Sequence, residues 1–275
     1  MIWWRHLPWS ARIGLGIALV LALGAAFGPW VAPHSPTAVV GEIWEPASSR
    51  FWLGTDQLGR DMLSRMLHGA RTTFFVSGFA TLLAFGAGVL LGFIAATLGG
   101  ITDEILSRLN DLLMTIPTLI FALVLLAVLP IGTTSLVLVT SLLCAPSVFR
   151  IARALALDIA ALDFVEAAKL RGEGTLWLVM REILPNAVAP LVAELGLRFS
   201  FAVLFLGSLS FLGLGLQPPD ADWGSMAREN KDGIVYGVPA AFIPAGAIAL
   251  LTVSVNLVVD AVIGSTTRSS GARRA

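Results

Sequence analysis

Charge is scarce in this 275-residue chain. Asp, Glu, Lys and Arg make up 13% of it, about half of the roughly 25% usual in soluble domains. With 56% hydrophobic residues beside so little charge, the chain cannot cover a water-facing surface, so an integral membrane protein is expected. The formal net charge is zero, and with no basic excess to neutralise a phosphate backbone, nucleic acid is not an expected partner. A single cysteine, Cys144, excludes an intrachain disulfide and reads as a small buried hydrophobe. The three histidines, His6, His34 and His68, are scattered. CxxC and HExxH are both absent, so no metal site is expected. Gly-x-Ser-x-Gly is missing too, and nothing in the sequence sets a nucleophile beside a base, so no catalytic residue is expected. The nearest approach to a phosphate loop, GTDQLGRD at residues 54–61, carries Arg60 and Asp61 where lysine and Ser or Thr are required. The chain therefore reads as a non-enzyme that binds no cofactor of its own.

What the chain has in abundance is long apolar runs, which predict an all-α membrane protein with about six transmembrane helices. The expected spans are residues 13–31, 73–98, 112–129, 133–148, 193–216 and 239–263. Trp3, Trp4 and Trp9, with Arg5 among them, suit a membrane interface ahead of the first span. That span also has the form of a cleaved signal peptide, with Ala25 and Ala26 small enough for a cleavage site, although the spans that follow make an anchor equally satisfactory. Pro29, Pro33 and Pro36 break the first helix, and residues 32–71 are polar enough to leave the bilayer. Gly88 and Gly92 set a small-xxx-small face on the second span for close helix packing. Residues 99–110 read as a short polar turn, and Pro146 falls near the end of the fourth span. The expected organisation is an N-terminal segment with the first helix (1–72), a membrane core (73–265) and a short basic tail (266–275).

Lysine and arginine set the orientation. With the N-terminus inside, the cytoplasmic side collects Arg5, Arg12, Arg108, Arg150, Arg153, Lys169, Arg171, Arg181, Arg268, Arg273 and Arg274. The outside receives the shorter list of Arg50, Arg60, Arg65, Arg71, Arg228 and Lys231. Both termini and residues 163–186 then face the cytoplasm. Within the spans, Glu194 and Arg198 are four apart and can pair, which lowers the cost of inserting either. Asn256 and Asp260 share the same spacing on the last span, where helix packing is the first reading and lining a path the second. Ser200, Ser208 and Ser210 are polar residues without an assigned face.

Residues 163–186, DFVEAAKLRGEGTLWLVMREILPN, are partly charged and stand between stretches too apolar for water. Asp163 can cap a helix with Glu166 reaching back to it, Ala167 and Ala168 continue the turn, and Gly172 and Gly174 release the backbone. Thr175 can start a second helix, and Pro185 is expected to end that helix at Leu184. By itself this pattern is a capped surface helical hairpin. The order Glu166-Ala167-Ala168, Gly172 and then Ile183-Leu184-Pro185 also resembles the EAA loop of ABC importer permeases. Three further stretches resemble one branch of those permeases, the importers of dipeptides, oligopeptides and nickel, and in particular their OppC/DppC-like subunit. They are residues 51–71 (FWLGTDQLGRDMLSRMLHGAR), 110–123 (NDLLMTIPTLIFAL) and 210–226 (SFLGLGLQPPDADWGSM).

The resemblance implies a MetI-like permease fold in a bacterial-type inner membrane. It implies a second permease chain, ABC ATPase subunits carrying ATP and Mg, an extracytoplasmic substrate-binding protein and the lipid bilayer as partners. It also implies an ATPase-coupling role for Phe164, Glu166, Ala167, Ala168, Arg171, Gly172, Ile183, Leu184 and Pro185, with Phe164, Ala168 and Arg171 as the seated face. The likeness fades after Asp260: the family's last span usually runs NLLGDGLRDxLDPR, whereas this chain reads NLVVDAVIGSTTRSS, with Val259 at a glycine position. Peptides are the first expected substrate and nickel or a metal chelate the alternative. A secondary transporter is the rival class, which would be expected to show internal symmetry and charged midplane residues.

Overall fold

The computed structural model describes residues 8–272, with side chains through residue 264. The expected roles of Trp3, Trp4, Arg5, His6, Arg268, Arg273 and Arg274 lie outside the described residues or side chains. Among the described residues the regular elements are all helices, apart from two isolated bridges, Val39 with Arg60 and Thr55 with Asp61. Helix α1 is Trp9–Val31, α2 Met62–Leu98, α3 Gly100–Thr115, α4 Thr118–Val128, α5 Thr133–Ala160 and α6 Asp163–Leu170. One turn, α7, Thr175–Trp177, runs through a π-helical stretch, Leu178–Ile183, into α8, Leu184–Phe211. Helix α9, Trp223–Glu229, and two short 3-10 turns lead to α10, Phe242–Ala272.

Among the described residues, five helical stretches are long and apolar enough to cross a membrane, and a sixth crossing is available if the bent pair α3 and α4 acts as one span. The third span is thus corrected. Residues 99–110 are not a turn but most of α3, and the run 112–129 bends by 89° between α3 and α4. Pro117 is the cause: it lacks an N–H and drives Ile116 into extended geometry, φ −85° and ψ 128°.

Helix α2 starts well before residue 73, because the Asp61 carboxylate accepts from the Ser64 N–H at 3.1 Å and caps it. Its 37 residues span about 55 Å, far more than a hydrocarbon core of about 30 Å. The boundary expected between residues 72 and 73 therefore falls inside a helix. Helix α5 likewise continues past residue 148 to Ala160, with Pro146 buried in its interior, and α10 continues past 265.

Glycine lets the long helices meet. A Cβ at Gly88 would lie 2.6 Å from Val148 Cβ, and one at Gly92 would lie 2.7 Å from the Phe149 carbonyl. The small-xxx-small face therefore packs directly on the α5 backbone. A third close approach joins α8 to α10, where a Cβ at Gly196 would meet Val259 Cγ2 at 2.4 Å. Cys144 is buried, as expected.

Candidate functional site: the coupling segment and the two polar ties

At one end of the bundle, α6 begins at Asp163, but the capping box does not form. Leu162 is the N-cap, without a side-chain bond, and its carbonyl receives the Val165 and Glu166 N–H groups. Asp163 and Glu166 occupy the first turn instead, where their charge favours the helix dipole. The exit does match expectation. Gly172 has φ +81°, its N–H reaches the Lys169 carbonyl at 2.9 Å, and the Glu173 N–H reaches the Ala168 carbonyl at 3.3 Å. This pair of bonds is a Schellman motif, which closes the helix and turns the chain.

Val165 and Ala168 are fully buried in a cluster with Phe93, Ala152, Ala156 and Ile159 from α2 and α5 and with Ile183 and Ala187 beyond the turn. Ala168 thus faces the protein's own core, and the expected face of Phe164, Ala168 and Arg171 is corrected to one without Ala168. Phe164, Glu166, Ala167 and Arg171 remain exposed. Beside them stand Leu170 and Leu176, 84% and 77% exposed, which sequence reasoning missed. Their signal was available: leucines placed among charges on a segment outside the spans.

Pro185 does not end the second helix. The chain stays helical from Thr175 to Phe211, and the Leu184 N–H bonds the Val179 carbonyl five residues back. Proline clashes with the carbonyl four residues before it in an α-helix; the wider π turn makes room for the ring, which then sits in the first turn of α8. Ile183 is buried, Leu184 half-buried and Pro185 exposed.

At the other end of the bundle, two of the singled-out stretches meet. The Trp223 side chain is buried and donates to the Met66 carbonyl at 3.1 Å, while its backbone N–H donates to Thr73 Oγ1 at 3.2 Å. Residues 56–65 also meet the last residue of α9 in a buried ionic knot. Asp56 Oδ2 contacts Arg60 Nε at 2.6 Å and Arg65 Nη1 at 2.5 Å, and Glu229 Oε2 contacts Arg60 Nη2 at 2.7 Å and Arg65 Nη1 at 2.6 Å. Asn230 Oδ1 accepts from the Gln57 N–H at 3.0 Å and from Trp44 Nε1 at 3.3 Å. Two arginines and two acids balance, and together they bind residues 44–65 to α9. The motif GTDQLGRD is therefore a structural turn rather than an anion site. Asp222 caps α9 through the Gly224 and Ser225 N–H groups, and burial pushes its carboxyl above the ordinary range against those hydrogen bonds.

The intramembrane pair forms as expected, with Arg198 Nε 2.7 Å from Glu194 Oε1 and Glu194 buried. Asn256 is half-buried, Asp260 is exposed, Ser200 and Ser210 are buried and Ser208 is exposed. Arg153, expected only as a cytoplasmic charge, instead holds Asp103 by two bonds of 2.5 Å. Among the described residues no cluster of His, Cys, Asp or Glu is placed to hold a metal.

Comparison with known families places residues 88–268 in "Binding-protein-dependent transport system inner membrane component" and residues 9–45 in "N-terminal TM domain of oligopeptide transport permease C". The di/tripeptide transport system permease protein DppC of Pseudomonas aeruginosa is 35% identical over 254 residues, covering 90% of this chain and 84% of the relative. The dipeptide transport system permease protein DppC of Haemophilus influenzae is 33% identical, covering 91% and 88%. The glutathione transport system permease protein GsiD of Pectobacterium atrosepticum is 31% identical, covering 94% and 87%.

Proposed function

The chain belongs to the family of binding-protein-dependent transport system inner membrane components, and on that premise we propose that it is the permease subunit of an ATP-driven importer of di- or oligopeptides. It performs no chemistry itself. It supplies half of a substrate pathway, a second permease chain supplies the other half, an extracytoplasmic binding protein delivers the peptide, and ATPase subunits drive the cycle. The peptide assignment is supported by the relatives' substrates.

The observation that carries the coupling role is α6 itself. Val165 and Ala168 fix it to the bundle core, while Phe164, Glu166, Ala167 and Arg171 stay free to meet a partner. A helix so fixed transmits displacement to α5 and α8 instead of yielding locally. ATP binding closes the ATPase pair, α6 is carried inward, and the two permease chains rock from inward-facing to outward-facing. Only the preference of ATP for the closed pair biases these states.

Glu166→Gln tests this reading. Because Glu166 makes no capping bond and is exposed, the change leaves insertion and stability nearly untouched. Uptake and ATPase stimulation by loaded binding protein are expected to fall several-fold in reconstituted vesicles. Wild-type uptake would leave α6 a surface hairpin with no coupling role.

A further inference from the structure

Within the broken segment α3–α4, α4 packs Ala122 into the bundle core with Leu125 and Leu126 against it, whereas α3 stands apart. Asn110 is the one buried residue of α3, and among the described residues α3 contributes nothing to the three hydrophobic clusters. An apolar crevice of about 610 Å³, bordered by Leu106, Leu109 and Leu113 of α3, separates it from Gly88 and Leu91 of α2 and Ala145 of α5. One specific polar tie crosses that gap at the α3 N-terminal end. Arg153 Nε donates to Asp103 Oδ1 and Nη2 to Asp103 Oδ2, each at 2.5 Å, and Ser107 Oγ donates to Asp103 Oδ1 at 3.1 Å.

The arginine end of this tie is anchored. A Cβ at Gly92 would lie 2.9 Å from the Arg153 backbone nitrogen, so α5 is pressed on α2 at that point. Ala152 and Ala156, on either side of Arg153, share the cluster that holds Val165 and Ala168 of α6. Arg153 therefore sits on the stretch of α5 that packs against α6. A planar guanidinium bonded twice to one carboxylate fixes orientation as well as distance, which a single contact would not do.

We infer that Asp103 and Arg153 are a positioning pair that transmits displacement of α6 to the broken segment α3–α4, so that the crevice opens or closes in step with the ATPases. This rests on the reading of α6 as the coupling helix. The Asp103 and Arg153 side chains are 21% and 32% exposed, so solvent screens the pair in part, and a positioning role is distinguished from a structural one by loss of coupling with assembly intact.

The test uses the chain assembled with its second permease, ATPases and binding protein in vesicles, with a radiolabelled dipeptide as probe. Wild type must first show ATP-dependent uptake; failure there would remove the importer reading and is distinct from any result for the pair. Asp103→Asn is expected to assemble fully and hydrolyse ATP at close to the wild-type rate, while peptide moved per ATP falls about tenfold, within the range over which single contacts alter coupling. The exchanged pair Asp103→Arg with Arg153→Asp is expected to restore it.

A second readout needs no peptide. Spin labels in a Cys144→Ser background report the distance from Val20→Cys on α1 to Lys169→Cys on α6 and to Ile120→Cys on α4, before and after vanadate trapping. In wild type both distances change, and in Asp103→Asn only the α6 distance changes. Normal peptide per ATP, an equal loss of uptake and hydrolysis, no recovery in the exchanged pair, or an unaltered α4 displacement would each overturn the proposal. If Asp103→Asn does not assemble, Arg153→Lys, which keeps charge without the paired bonds, is measured the same way. Failure of that variant to assemble would make the pair structural and also overturn the proposal.

Discussion

Gly196 and Val259 show how one position can answer another across a helix pair. Val259 is buried against α8, which presents Gly196 to it. Gly196→Ala would set a methyl group 2.4 Å from Val259 Cγ2, and overpacking of this kind costs about 1–3 kcal/mol. Thermal unfolding of the detergent-solubilised protein should report that loss. Adding Val259→Ala should return most of it, a coupling that independent sites would not show. Purely additive effects would mean that the two side chains do not press on one another.

At the level of the element, α6 and its exit decide how the coupling segment is aimed. Gly172 sits at φ +81° with nothing within 4 Å of where a Cβ would be, so alanine meets a backbone penalty of about 1 kcal/mol and no clash. That is too little to prevent insertion of the bundle. It is enough to re-aim Phe164 and Arg171 relative to Thr175. Gly172→Ala is therefore expected to leave the amount of inserted chain unchanged and to weaken ATPase association, measured by co-purification of the tagged complex. Full assembly with normal uptake would reduce Gly172 to a convenient turn. The π stretch that follows belongs to the same scale, because Pro185 is absorbed by a wider turn and the coupling segment runs straight into α8.

For the molecule as a whole, the ionic knot at the end of the bundle away from α6 joins residues distant in the chain. Arg65, 2% exposed, bridges Asp56 in the loop and Glu229 in α9. Arg65→Met would leave two acids sharing one remaining arginine, and breaking such a buried network by removal of a partner costs about 3–5 kcal/mol. A marked fall in melting temperature and faster proteolysis of residues 44–61 are the expected signs; an unchanged melting temperature would show that the knot adds nothing. Orientation is also a property of the whole. Asp222, the obvious labelling site on the loop after α8, is buried as a helix cap, so exposed Asp220 is the better choice. In a Cys144→Ser background, Asp220→Cys should label in intact cells and Thr175→Cys only after permeabilisation. The reverse pattern would invert the arrangement.

The apolar runs and the scarcity of charge determined by themselves that this is a helical membrane protein, because a chain so short of charge has no other way to satisfy its surface. The local signals of Gly88, Gly92 and Gly172 were equally legible, since the conformation and contact distance that glycine permits depend on the residue itself. The Glu194 and Arg198 pair was readable for the same reason, as both lie on one turn of one helix. Tertiary structure decided the rest. Whether Ala168 faced a partner or the core depended on where α5 and α8 stood, and the burial of Arg65 in α2 depended on Glu229, 164 positions away. Whether Asp103 was one more surface charge or a tie depended on Arg153, 50 positions on. Those partners are brought together by the packing of α2 on α5, and no local pattern records that packing.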